Sequence, residues 1–245
     1  LISFPALLAA GYSAFSANIA NTLSLIPGYV GNTIGYRREL AGQAKRVWIF
    51  GAATVIGSAG GTAAFLMAPS ADFRKVVPYL ILLAAILMAV QKRVASLVAK
   101  HRSARSARSV RSVRSVRSAR SDRPAAVKEH TVPLLLVMTA CGAYAGYFGA
   151  GVSVILLATL GAMVADSLQR LNALRSVLTF TGNLLAGVVF IFVTHVAWLA
   201  VAIMAPTSLA GGWLGSSVAR KIPDNFLRWS VVVFAGVVGL VLLVQ

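Results

Sequence analysis

The chain is organised as long apolar runs broken at charged or turn-forming residues. A short apolar piece covers Leu1–Ala10, and longer runs follow at Ala14–Tyr36, Val47–Met67 and Val76–Val90. After an interruption, apolar character resumes at Val132–Val164 and continues at Leu168–Val193, Ala197–Val218 and Phe226–Val244. A spanning helix needs about 20 apolar residues, and most of these runs reach that length. None alternates as a barrel strand does, and an open strand in lipid would leave backbone groups unpaired. The pattern predicts an all-α, polytopic membrane helix bundle.

The runs also repeat. Asn21 and Asn172, Gly31-Asn32 and Gly182-Asn183, and Gly60-Gly61 and Gly211-Gly212 are each separated by 151 positions. Ser3 and Ser153, and Gly11 and Gly161, are separated by 150. Pro69–Phe73 resembles Pro223–Phe226. Matches in one register, with the same span order, predict two four-span repeats with seven to eight spans in all. Duplicated halves are a common transporter plan, with substrate near the midplane where they meet. In the second half a glycine-rich segment precedes Ser153, whereas the chain begins two residues before Ser3. The repeat therefore predicts a truncated first span, with about twenty residues expected ahead of Leu1, roughly half a helix pair.

Composition agrees with this organisation: 58% of residues are hydrophobic and 12% charged, against about 25% charged in soluble domains. Mean hydropathy is +0.80. The net charge of +17 invites a nucleic-acid reading, but eight arginines lie in one Arg-Ser tract at 101–123. The remaining basic residues fall mainly in loops and at span ends, as membrane topology demands, so no nucleic-acid partner is expected. Arginine at every third position precesses around a helix and forms no apolar face. The tract reads as a disordered cytoplasmic loop. The domains expected are a first transmembrane repeat at 1–100, an Arg/Ser-rich loop at 101–130 and a second repeat at 131–245. Arg37, Arg38, Lys45 and Arg46 put the Tyr36–Arg46 loop on the cytoplasmic side with the tract. By simple span counting Arg220, Lys221 and Arg228 fall on the other side, unless a broken span changes the count or the halves are inverted.

Chemistry-bearing motifs are scarce. Cys141 is the only cysteine, which excludes a disulfide within the chain and a cysteine-based metal site. There is no Walker loop, HExxH or dinucleotide fingerprint, and Ser153 has no partner for nucleophilic catalysis. No catalytic residue, metal or cofactor is expected. The informative segment is Val132–Val164, longer than one crossing requires, with Gly142, Gly146, Gly149 and Gly151 in its middle. Two half-helices meeting at Gly146–Gly151, the second starting near Val152, would aim free N–H groups and a positive dipole end into the membrane, a site for an oxyanion. Close helix packing through the Gly142/Gly146 pair is the alternative. Asn21, Asn32, Asn172 and Asn183 lie in apolar spans, where an amide can bond an anion or bridge two helices. Arg175 lies about two turns into its span, where intramembrane charge marks a functional site by default. The substrate-binding candidates are thus Gly146, Gly149, Gly151, Asn172, Arg175 and Asn183, with Asn21 and Asn32 from the other half.

The chain resembles the sulfite exporter TauE/SafE family of prokaryotic membrane proteins. The resemblance rests on Gly142…Gly146-Tyr-Phe-Gly149-Ala-Gly151 and the span after it, Pro5-Ala-Leu-Leu, Asn21-Thr22, Gly35–Arg38 and the Gly-Gly pair in the third span of each half. It covers nearly the whole chain outside the Arg-Ser tract. It implies about eight spans in a duplicated four-span unit, and transport of sulfite, sulfonates or related organosulfur anions across the cytoplasmic membrane. Two departures stand out: the first glycine-rich segment of the family pattern is missing, and the central loop is lengthened. The expectation is therefore a secondary transporter of a small anionic substrate, embedded in the bilayer and compatible with a homo-oligomer. An anion channel or a non-transporting membrane subunit are the competing readings.

Overall fold

A computed structural model describes residues 3–69, 73, 75–86, 89–90, 131–164, 166–218, 233, 236 and 237. The Arg-Ser tract, the loop at 101–130 and nearly all of the expected last span lie outside them. All regular structure among the described residues is helical. In chain order the helices are α1 (Ser3–Ala9), α2 (Ala14–Gly35) and α3 (Ala44–Met67), α4 (Lys75–Ile86), then α5 (Thr131–Tyr147), α6 (Val152–Met163), α7 (Leu168–Val193) and α8 (Trp198–Val218). Serines cap the two long central helices alike. Ser13 accepts the amide of Ser16 ahead of α2, and Ser167 accepts that of Arg170 ahead of α7. A capping hydroxyl satisfies one of the amides a helix start leaves open.

The distribution of side chains is that of a membrane protein. Trp48, Met67 and Phe192 are 79%, 84% and 83% exposed, whereas Asn18, Ser24, Thr54, Ser58, Thr62 and Asn183 are buried inside the bundle. Water would penalise that arrangement, and lipid favours it, because polar groups at depth need protein partners. Among the described residues two helices, Ala44–Met67 and Gln169–Val193, are long and apolar enough to cross a bilayer by themselves.

Neighbouring contacts fix the helix directions. Gly142 faces the Thr54 backbone and Gly146 faces Ser58 and Thr62, so α3 and α5 run parallel. The Ser58 hydroxyl donates to the Gly182 carbonyl at 2.6 Å, and Gln43, just ahead of α3, donates to the Arg170 carbonyl at the start of α7, so α3 and α7 are parallel too. Asn32 reaches Ser176 while Gly187 packs on Leu23 and Ile26, which makes α2 and α7 antiparallel. The α5–α6 run does not cross the bundle once. Ser153 near the start of α6 lies by Thr179, and α6 ends where α7 begins. The segment is a helical hairpin that enters and leaves at the same face.

That face carries the α2–α3 turn, with Arg37, Arg38, Lys45 and Arg46, and the start of α7 with Arg170. Here Asp166 accepts from Arg46 at 2.6 Å and pairs with Arg170 at 2.9 Å. Arg170 also donates to the Ala41 carbonyl, and Gln43 donates to the Arg170 carbonyl, tying the two turns together. The Asp166 carboxyl feels burial, which raises its pKa. The Ser167 amide and the two guanidiniums outweigh that and hold it below the usual range. With the hairpin returning, α7 crosses away from this basic face and α8 comes back to it. The chain therefore leaves α8 on the basic face, just before Arg220 and Lys221, which lie outside the described residues.

Candidate functional site

The hairpin tip is where the backbone opens. α5 ends at Tyr147 because Phe148 and Gly149 both turn their amides back to the Tyr144 carbonyl, at 3.0 and 2.9 Å. Gly149 has φ 76° and Gly151, the N-cap of α6, has φ 79°. This left-handed region costs a side-chain-bearing residue about 1–2 kcal/mol. Gly151 offers no side-chain cap; the Val152 amide turns back to the Gly149 carbonyl at 3.4 Å and the Val154 amide to the Gly151 carbonyl at 2.9 Å, so the tip carries the positive dipole end of a twelve-residue helix. The Tyr144 hydroxyl donates to the Ala150 carbonyl at 2.6 Å and braces the tip.

Side chains from both long central helices converge on this opening. Asn183 of α7 lies against Gly149, where a Cβ would come to 3.4 Å of its Oδ1, and its Nδ2 donates to the Thr179 carbonyl at 2.8 Å. Ser153 and Thr179 hydroxyls are 3.5 Å apart. From α2, Asn18 donates Nδ2 to the Tyr147 carbonyl at 3.1 Å. One turn further, Asn21 accepts the Ser3 hydroxyl at 2.6 Å. The adjacent Phe4 of α1 meets Phe148 edge-on at 5.3 Å. The start of α1 therefore reaches the tip of the α5–α6 hairpin.

The sequence candidates fall into two groups along the α2–α7 seam. Gly149, Gly151 and Asn183 line the tip, and Asn21 lies beside it. Asn32, Asn172 and Arg175 lie toward the basic face. Asn32 donates to the Ser176 hydroxyl at 3.1 Å, and Ser176 donates to the Asn172 carbonyl at 2.9 Å. Arg175 is half-buried, within electrostatic reach of Tyr29 and Tyr36. Eight residues of helix, about 12 Å, separate Arg175 from Asn183, so no single small anion spans both groups. Gly146 lies between α5 and α3, with the Thr62 hydroxyl 3.4 Å from its carbonyl. Three tip residues escaped the sequence reading: Asn18, Thr179 and Tyr144. Asn18 carried a usable signal, a second amide one turn before Asn21 in an otherwise apolar run.

The family described as Sulfite exporter TauE/SafE matches residues 1–242 of this chain. A protein of Haemophilus influenzae named "Probable membrane transporter protein" is 23% identical over 235 residues, covering 96% of this chain and 82% of that protein. No solved structure matches the chain.

Proposed function

The chain belongs to the sulfite exporter TauE/SafE family of membrane transporters, and from that premise we propose that it is a secondary transporter of small sulfur-containing anions. Sulfite, sulfonates or related organosulfur anions would cross the cytoplasmic membrane by this route. In this reading the two halves are repeats inserted in opposite directions, each a helical hairpin followed by three spans in place of the four spans expected from the sequence. α1 leads into α2 from the far face as α6 leads into α7 from the basic face, and each half's third helix, α3 or α8, lies against the other half's α7 or α2. The basic face, with its arginines, is the cytoplasmic one.

One observation carries the proposal: a glycine-broken helix start lies inside the bundle, with the positive dipole end of α6 beside the Ser153, Thr179 and Asn183 side chains. An oxyanion there gains the positive dipole end of α6 without requiring a buried counter-charge. The Thr179 and Ser153 hydroxyls supply neutral donors, and Asn183 Nδ2 keeps one N–H beyond its bond to the Thr179 carbonyl. Arg175, nearer the basic face, draws anions into the α2–α7 seam by a charge that lipid alone would not tolerate. Uptake of radiolabelled sulfite and of a small sulfonate into proteoliposomes tests this. Anion-selective uptake lost in Asn183→Ala and reduced in the Arg175→Ala/Asn172→Ala pair is the expected result. Uptake unchanged in Asn183→Ala removes the tip from the transport path.

A further inference from the structure

The two ends of the broken helix differ in polarity, and only one end suits an anion. The other is the carbonyl end of α5, which carries the negative pole of its dipole. Asn18 sits against it, 1% exposed. Its Nδ2 is committed to the Tyr147 carbonyl. That bond also fixes the orientation of the amide, because the flipped form would set two acceptor oxygens against each other. The Oδ1 of Asn18 is buried and has no hydrogen-bond partner. A buried acceptor without a donor costs about 1–3 kcal/mol, and such a group in a native fold calls for an explanation, of which an ordered water and a bound ion are two. One turn on, Asn21 presents a second amide oxygen, held by Ser3.

An unpaired amide oxygen beside a helix carbonyl end accepts a positive charge. It does not carry a proton near neutral pH, so the cation has to be a metal ion with a taste for neutral oxygen ligands. The acidic residues support this choice. Among the described residues the carboxylates, Glu39 and Asp166, stand in turns and not in helices, and no group of three His, Cys, Asp or Glu side chains comes together. We propose that Asn18, with the Tyr147 carbonyl end of α5 and the Asn21 amide, binds a monovalent metal cation, Na⁺, whose gradient drives the anion at the other end of the same break. Cation and anion then share one opening a few residues across, and the attraction between them couples their binding. The coupling rests on the transport reading above, whereas the cation site does not.

The test separates the two. The purified full chain, with no anion substrate added, is melted in NaCl, KCl and choline chloride at equal ionic strength. The expected result is a midpoint in NaCl about 3 °C or more above that in choline chloride, absent in Asn18→Leu and retained in Asn18→Asp, which keeps an acceptor oxygen. An inward Na⁺ gradient then accelerates anion uptake into proteoliposomes about tenfold in the wild type and not in Asn18→Leu, the size of a typical coupling between two sites. Equal wild-type midpoints in all three salts overturn the cation site, whatever the transport assay shows and whether or not Asn18→Leu folds. A Na⁺-specific midpoint shift without anion uptake leaves the site standing and overturns the transport reading instead.

Discussion

Gly142 and Gly146 stand one turn apart in α5, and Gly149 and Gly151 follow within five residues, yet the two pairs do opposite work. The first pair is helical and buried, and each glycine lies against α3 backbone, Gly142 on Thr54 and Gly146 on Ser58 and Thr62. Gly57 and Gly61 of α3 return the contact on Thr139 and Ala143. The second pair is in the left-handed region and ends the helix. Glycine is chosen for lack of volume in one case and for backbone freedom in the other. The packing pair holds the hairpin rigidly against α3, and the breaking pair opens its tip. In the proposed reading, a rigid wall beside the broken tip keeps the binding geometry fixed inside lipid, where loose backbone would be penalised.

The sharpest way to break this comparison is at the packing pair. In Gly61→Leu and Gly146→Leu the added atoms meet backbone, which cannot step aside. More than about 3 kcal/mol of destabilisation is expected, read as loss of the monodisperse peak in detergent. Gly151→Val tests the other pair. Strain of about 1–2 kcal/mol should leave folded protein, while sulfite uptake falls more than about tenfold as the positive end of α6 turns away. If Gly151→Val transports normally, the opened tip is not the binding element. Arg175→Lys asks whether charge at the neutral tip's approach needs a planar fork. A several-fold rise in the apparent Km for uptake, with little change in maximal rate, is expected, because an ammonium keeps the charge but loses the bidentate geometry.

The smallest effect belongs to the Asp166 pairs, which join the turns at the bundle's charged end and touch neither glycine pair. Asp166→Asn should cost at most about 1 kcal/mol, as partly exposed ion pairs do. The sign of its pH dependence follows from a carboxyl held below its ordinary range. The contribution is fully present above the unfolded carboxylate pKa of about 4 and is lost as pH falls through the lower folded value. Acid melts of wild type and Asp166→Asn should therefore converge only below about pH 4.

Much of this was legible along the chain. Apolar runs gave the helices, and α7 matches its expected limits at Leu168 and Val193. The start of α6 at Val152 also followed from sequence, because a glycine in the left-handed region is a local preference that needs no tertiary contact. What periodicity could not supply was direction. A 33-residue apolar run fits a long crossing or a returning hairpin equally well, and only the contacts of Ser153 with Thr179 and of Asp166 with Arg46 decide for the hairpin.

The sequence by itself therefore determined that this protein is a helical membrane bundle with a glycine break, since hydrophobicity and backbone freedom act residue by residue. Only the tertiary structure decided which glycines pack and which open, that Asn32 joins Ser176 and lies away from the tip, and that the Asn18 amide is left with a bare oxygen. Those outcomes depend on what a neighbouring helix places opposite each residue, and no local rule contains that information.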